Sequence, residues 1–290
     1  MFKMKFKFFS IFFIILLLFS YCSKSSLIAE GNKNSDETKL DFTRPSTQVL
    51  SPEKPGNLEK THAGLRKILS YDIKWLGFHI GEAQLSISEI KQTGSNPIRV
   101  LEASVHTNNF LSKIYPVRDK YISHIDLARL CSIEYEISRR EGRYRKDAVT
   151  IFDQDEHKAY FENFLDNSKK EFSIPSDAQD PLSALYCFMQ KDIKNVDEIT
   201  YKIVNNEKIY SIFVDIKKEL LLNFKGKKIL VYEVVPYAII DDKRVSGGNL
   251  VCFVMKDTSV PIRAILKGPI FTKIELIQKN ISASAMKEAL

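Results

Sequence analysis

The chain reads as a mainly β protein: one large antiparallel, strongly curved sheet, a half-barrel or sandwich-like wrap, with one amphipathic helix at about 180–194. Three observations predict it. From Leu69 onward, short stretches alternate apolar and polar residues with period two, the pattern of half-buried strands. Their close spacing leaves no room for crossover helices, so neighbours pair as an antiparallel meander and a parallel nucleotide-binding sheet is excluded. One stretch alone, from Asp180, carries helical spacing.

In chain order, the first element is a leader. Residues 1–7 hold Lys3, Lys5 and Lys7 and no acid, and Phe8 to Phe19 is apolar except for Ser10. An apolar core of about 12 residues suits the h-region of a signal peptide over residues 1–21 and is short for a membrane-spanning helix. Cys22 follows Leu18-Phe19-Ser20-Tyr21 in a pattern that resembles a bacterial lipobox, in which the cysteine sulfur receives diacylglycerol. Tyr21 stands where Gly, Ala or Ser is usual, so lipidation at Cys22, plain secretion and an uncleaved leader all stay open. Each exports the chain, to the periplasm or to a membrane-anchored place in the bacterial cell envelope. Residues 22–66 are rich in Ser, Asn, Lys, Glu and Thr, are broken by Pro45, Pro52 and Pro55, and read as a flexible tether, or equally as a dispensable tail.

Strands fill a single domain over 67–280, ahead of a short C-terminal tail at 281–290. Tyr71, Ile73 and Trp75 alternate with Asp72 and Lys74, and Ala83, Leu85 and Ile87 with Gln84, Ser86 and Ser88. Val100, Ile122 and Ile133 fall in similar segments, as do Tyr210 to Ile216, Val231 to Val235 and Ile270 to Leu276, about eleven or twelve strands in all. Turns are marked at Leu76-Gly77, Glu141-Gly142, Gly226, Gly247-Gly248 and Gly268-Pro269. In the helix, Asp180 suits the N-cap and Pro181 the first turn, and Leu182, Leu185, Tyr186, Met189 and Ile193 make one stripe. A lone helix of this kind lies across the concave side of a curved sheet. Phe110, Phe152, Phe161, Phe213 and Tyr232 are large enough to fill the interior of a small barrel.

These residues carry a resemblance. The chain is similar to the bacterial exported proteins grouped as domain-of-unknown-function family 3108, over about residues 69 to 278. The similarity rests on Tyr71-x-Ile73-x-Trp75-x-Gly77-Phe78-x-x-Gly81-Glu82-Ala83, on Tyr115-Pro116-Val117-Arg118-Asp119 with Tyr121-Ile122-Ser123 and Asp126, on Asp180 to Tyr186, and on Asp257 with Val260-Pro261-Ile262-Arg263. Members usually show a tryptophan and paired acids where this chain has Phe253 and the single Asp257. The resemblance implies an exported, β-rich domain of unassigned activity.

Composition narrows the function. With 44% hydrophobic and 27% charged residues the chain can bury a core, which argues against wholesale disorder and against a multi-span membrane protein. Three of the 43 basic residues belong to the leader, leaving 40 against 36 acids, too even a balance for nucleic-acid binding. Cys131, Cys187 and Cys252 have no framework spacing and read as small buried residues. His62, His79, His106, His124 and His157 never pair at i, i+4, so no zinc site is indicated, and residues 152–157 lack the glycine and distal glutamate of a calcium loop. No catalytic set and no cofactor emerges: Ser183 lacks the turn of an activated nucleophile, and Asp119, Asp126 and Glu134 have no fixed separation. Two binding features remain. Arg139, Arg140, Arg143, Arg145 and Lys146 crowd one hairpin and suit an anionic headgroup, while Tyr71 and Trp75 share a strand face and suit an apolar ligand. The expectation is a non-catalytic domain that binds an amphiphile such as a lipid or glycolipid; the alternative is an envelope scaffold that binds proteins and has no small ligand.

Overall fold

The structure, a computed structural model, describes residues 65–93, 96–240, 243–244, 249–267 and 273–279. The leader, Cys22, nearly all of the tether and the 281–290 tail lie outside the described residues, as do the turns expected at Gly247-Gly248 and Gly268-Pro269. Among the described residues no helix is long and apolar enough to cross a membrane.

One sheet holds every strand. The first half of the chain supplies β1 (Leu65–Trp75), β2 (Phe78–Ser88), β3 (Lys91–Thr93), β4 (Asn96–Thr107), β5 (Arg118–Asp126), β6 (Cys131–Glu141), β7 (Tyr144–Asp153), β8 (Lys158–Asn163) and β9 (Ser168–Ser173). The second supplies β10 (Glu198–Asn205), β11 (Lys208–Phe224), β12 (Lys227–Ile240), β13 (Lys243–Arg244), β14 (Asn249–Met255), β15 (Pro261–Lys267) and β16 (Lys273–Gln278). Two helices accompany them, α1 (Asn109–Ser112) and α2 (Pro181–Gln190). The order is β10-β11-β12-β14-β15-β16-β1-β2-β4-β5-β6-β7-β8-β9, with β3 on β4 and β13 on β12. All named strands pair antiparallel, so the expected meander is what forms; β1 and β16 join its two halves, Tyr71 opposite Gln278.

The sheet is curved but not closed, and its free edges are β9 and β10. Exposed edges invite pairing with other chains unless blunted. Lysines do this on β9, where Lys169 and Lys170 are exposed. Residue 179 does it on β10: the Gln179 N–H donates to the Lys202 carbonyl (2.9 Å) and the Gln179 carbonyl accepts from Val204 N–H (2.7 Å), the two halves of a parallel bridge to Ile203. The chain then enters α2, which lies inside the curve against β4, β5 and β10.

Inward side chains form one continuous core that includes Ile73, Leu85, Leu101, Tyr121, Tyr135, Leu182, Tyr210 and Val254. Tyr121 and Tyr135 stack with ring centroids 6.5 Å apart, an arrangement that adds about 1 kcal/mol to the value of the buried area.

Four expectations are corrected. Sixteen strands form among the described residues rather than eleven or twelve, because β3 and β13 are too short, and β9 too charged, to show alternation. The helix ends at Gln190, not near Lys194, because Lys191 turns extended (ψ 139°) and closes it; Ile193 is buried outside it. A second helix, α1, forms for a single turn behind the Asn108 cap, whose side chain accepts from Leu111 N–H. Phe110, on α1, is 75% exposed and Phe213 is half-buried, stacked on Tyr237 and outside the core, so neither fills the interior, whereas Phe152, Phe161 and Tyr232 are buried.

The β1–β2 hairpin is tightly built. Leu76 (φ 50°) and Gly77 (φ 90°) are the two central residues of its turn, both left-handed as a two-residue hairpin that matches strand twist requires. Four residues on, a side chain at Gly81 would place its Cβ 2.3 Å from the His106 carbonyl oxygen, so only glycine lets β2 approach β4 there. Gly81→Ala should therefore lower stability by about 1–3 kcal/mol through overpacking, read as a drop in the urea midpoint, while Gly77→Ala, which meets no atom, should show only the strain of its backbone angle.

Candidate functional site

Local chemistry places α2 first. Asp180 is fully buried and its carboxylate accepts four hydrogen bonds: Leu182 N–H (2.7 Å) and Ser183 N–H (3.0 Å) on one oxygen, and Ser123 Oγ (2.6 Å) and Ser132 Oγ (2.7 Å) on the other. The first pair caps the helix and the second pins it to β5 and β6. Burial pushes the Asp180 carboxyl up from its usual range, and the four donors oppose that shift. Ser183 completes the capping box, its Oγ accepting from Asp180 N–H (2.9 Å), and it also hydrogen-bonds Ser132 Oγ (2.7 Å). Its hydroxyl is thus held by structural partners. Further along, Tyr186 accepts from Arg99 on β4 (2.6 Å) and lies under that guanidinium.

With one side of α2 fixed to β4, β5 and β6, its other side faces β10, β11, β12, β14 and β15 across a cleft. Pro181, Ala184, Leu185 and Phe188 of the helix meet Tyr201, Ile203, Ile212, Val214, Val234, Pro236, Cys252, Val254 and Pro261 of the sheet. About 60 Å³ is free between them, room for several water-sized groups. The walls are apolar apart from the Cys252 thiol, which burial pushes up to about 12, and the Tyr201 hydroxyl. That hydroxyl is buried with no hydrogen-bond partner among the described residues, and burial raises its pKa.

Of the sequence-derived site residues, Tyr71 stands beside this cleft rather than in it, its hydroxyl donating to the carbonyl of the cleft residue Pro261 (2.9 Å). Trp75 is half-buried against the core. The cations of the β6–β7 hairpin do not form one free patch. Arg139 is turned inward onto Glu141 (Nε 3.0 Å) and over the Tyr144 ring, Arg140 is paired with Asp147 (2.6 Å), and Lys146 reaches Asn206 and the Phe161 ring. Burial, with Arg139 adding repulsion, lowers Lys146 to about 8. Arg143 and Arg145 alone of the five are exposed. The three cysteines are free and buried. Cys22 lies outside the described residues.

Sequence reasoning missed the cleft, because its walls come from six separate elements whose only local signal is apolar alternation. It also missed a buried acid cluster beneath the basic hairpin. Glu141 and Asp119 are both buried, Asp119 accepting from Arg140 N–H (2.8 Å) and Tyr121 OH (3.3 Å). Burial pushes Glu141 up to about 7; Arg139 opposes the shift and Asp119 adds to it.

The fold is thus an open antiparallel wrap around an internal helix, and its sequence defines its kinship. The family described as a protein of unknown function, DUF3108, matches residues 70–266, and the chain belongs to it. No curated protein matches the chain. Among solved structures it is similar to a β-barrel-like protein of domain of unknown function DUF1849 from Brucella abortus, with 7% identity, a TM-score of 0.49, and coverage of 73% of this chain and 94% of that one. It is also similar to a protein with a YmcC-like fold from Bacteroides fragilis, with 7% identity, a TM-score of 0.27, and coverage of 74% and 94%.

Two outcomes are expected. Asp180→Ala strands four buried donors and should cost about 2–5 kcal/mol in urea unfolding, more than Ser183→Ala, which removes the hydroxyl bonded to Asp180 N–H and Ser132 but leaves all four of those donors paired. Glu141 binds its proton more tightly folded, at about 7, than unfolded, near 4.3. Its stabilising contribution is therefore fully present below the unfolded value and lost as pH rises through about 7. Urea midpoints between pH 5 and pH 8 should fall with rising pH, and Glu141→Gln should flatten that slope; an equally steep slope in the variant would show that another group sets it.

Proposed function

We propose that the domain is an exported cell-envelope protein that binds, without catalysis, an amphiphile such as a lipid or glycolipid, the apolar part entering the cleft beside α2. The observation that carries this reading is the pairing of apolar walls with a single unpartnered hydroxyl, Tyr201. Apolar surface with a few convergent polar groups is the ordinary make-up of a small-molecule site, and a buried hydroxyl without a partner costs free energy that a bound acceptor would recover. The free space fits a few methylenes, so a longer chain requires α2 to lift. An acylated Cys22 and the 22–66 tether would hold the domain near a membrane surface, with Arg143 and Arg145 the hairpin cations exposed to anionic headgroups.

The second reading, an envelope scaffold, is favoured by exposed apolar residues at the opposite kind of place: Leu76 and Phe78 on the β1–β2 turn and Phe110 and Ile114 around α1, which packs on β2 and β4. Such a group marks a surface for another protein.

Binding of a fluorescent long-chain fatty acid separates the two. Ala184→Phe, which fills the cleft, should abolish it. Tyr201→Phe should weaken it about 2- to 10-fold, the value of one hydrogen bond, while leaving stability unchanged or raised. Equal binding by wild type and both variants would move the ligand elsewhere, and no binding by wild type would leave the scaffold reading.

A further inference from the structure

Asp72, His79 and Glu82 converge on the outer face of the β1–β2 hairpin, one ligand atom of each lying within 4.8 Å of those of the other two. The register explains how. In an unbroken strand His79 and Glu82, three residues apart, would project to opposite faces. Here Asp72 pairs with Glu82, a bulge falls between Ile73 and Lys74, and Lys74 pairs with His79. Cross-strand partners share a face, so the bulge brings His79 round to join Asp72 and Glu82, and bulges of this kind re-aim side chains at functional sites. On the next strand, His106 is the direct partner of Glu82. Its Nε2 stands 3.9 Å from Glu82 Oε2, and His79 Nε2 stands 3.5 Å from Asp72 Oδ1. Gly81, packed on the His106 carbonyl, fixes the spacing of these two strands next to the cluster.

A positive charge already rests there. Lys279 Nζ lies 2.7 Å from Glu82 Oε1 and 3.5 Å from Asp72 Oδ1, and this hydrogen bond holds the Glu82 carboxyl below its usual range. All of these side chains are part-exposed, so the lysine can swing away.

We propose that Asp72, His79, Glu82 and His106 bind one zinc-type divalent cation, which displaces the Lys279 ammonium. Two imidazole nitrogens with carboxylate oxygens suit zinc, whereas calcium and magnesium take oxygen shells. Bonds of 2.0–2.1 Å in a tetrahedron set neighbouring ligand atoms about 3.3–3.5 Å apart; the His79–Asp72 pair already stands at that spacing, and Glu82 and His106 would join it by rotation of their part-exposed side chains. Helical i, i+4 spacing never reveals such a set, since its members meet through hairpin register.

The test is a zinc titration of the full-length chain against a fluorescent chelator, with calcium as control, and X-ray absorption at the zinc edge. The expected result is one zinc per chain in a nitrogen and oxygen shell with imidazole scattering, and no competition by calcium. His79→Ala and His106→Ala should each weaken binding by about 10-fold or more. Lys279→Ala should tighten it about two- to fivefold, the value of releasing an exposed ion pair. His124→Ala and His157→Ala should leave it unchanged. Absence of stoichiometric zinc, sulfur in the shell, or affinity indifferent to both His79→Ala and His106→Ala would overturn the assignment. The spectrum of the unmutated chain decides the matter even if a variant fails to fold.

Discussion

A carboxylate sealed from water, Asp180, holds this fold in its shape. Four donors from three elements converge on it, two from the first turn of α2 and one each from β5 and β6. A charge in such a place is tolerable only when every lone pair is engaged, so the first turn of α2 is fixed relative to β5 and β6. The rest follows from that placement. The helix fills the concave side of a sheet too long to stay flat, the segment before it covers the β10 edge, and the second side of the helix is left facing β10, β11, β12, β14 and β15 across an apolar gap.

That gap is where the functional reading lives. The side of α2 packed on β4, β5 and β6 is bonded as well as buried, through Asp180, Ser183 and Tyr186, while the opposite side offers Pro181, Ala184, Leu185 and Phe188 to largely apolar walls. Local openings are drawn from regions whose contacts are few and non-directional, so the two flanks differ in how readily they part. An element anchored at its N-terminus by hydrogen bonds and held along one face by dispersion alone can admit an apolar guest without breaking the network that positions it.

Much of the architecture was legible in the sequence because period-two alternation and short turns report directly on antiparallel strands. Tyr71, Ile73, Ala83, Leu85 and Ile87 all face the core as their spacing implies. The alternation fails where register shifts. Ile80 and Gly81 are adjacent and both buried at the bulge, and β11 shifts between Ile216 and Glu219, breaks that no local pattern announces. In other segments the apolar residues seen first, Val100, Ile122 and Ile133, are only half-buried; their neighbours Leu101 and Tyr121 fill the core, and Ser132, beside Ile133, is buried against Asp180. The site was less legible still. Charge density at residues 139–146 suggested a free basic patch, but the acids that neutralise it, Glu141 and Asp147, sit inside the same hairpin, and their pairing is a matter of side-chain geometry. The cleft assembles from distant positions, and Asp72, His79 and Glu82, although they belong to one hairpin, share a face only because its register shifts, which spacing alone does not announce.

On the proposed function, the interior beside α2 receives an amphiphile. Native mass spectrometry of the full-length chain, extracted gently from membranes, tests it most directly. A discrete additional mass that stays with the folded chain and is lost in organic solvent is the result this account predicts. A chain carrying only its own mass and that of any covalent amino-terminal modification would contradict it.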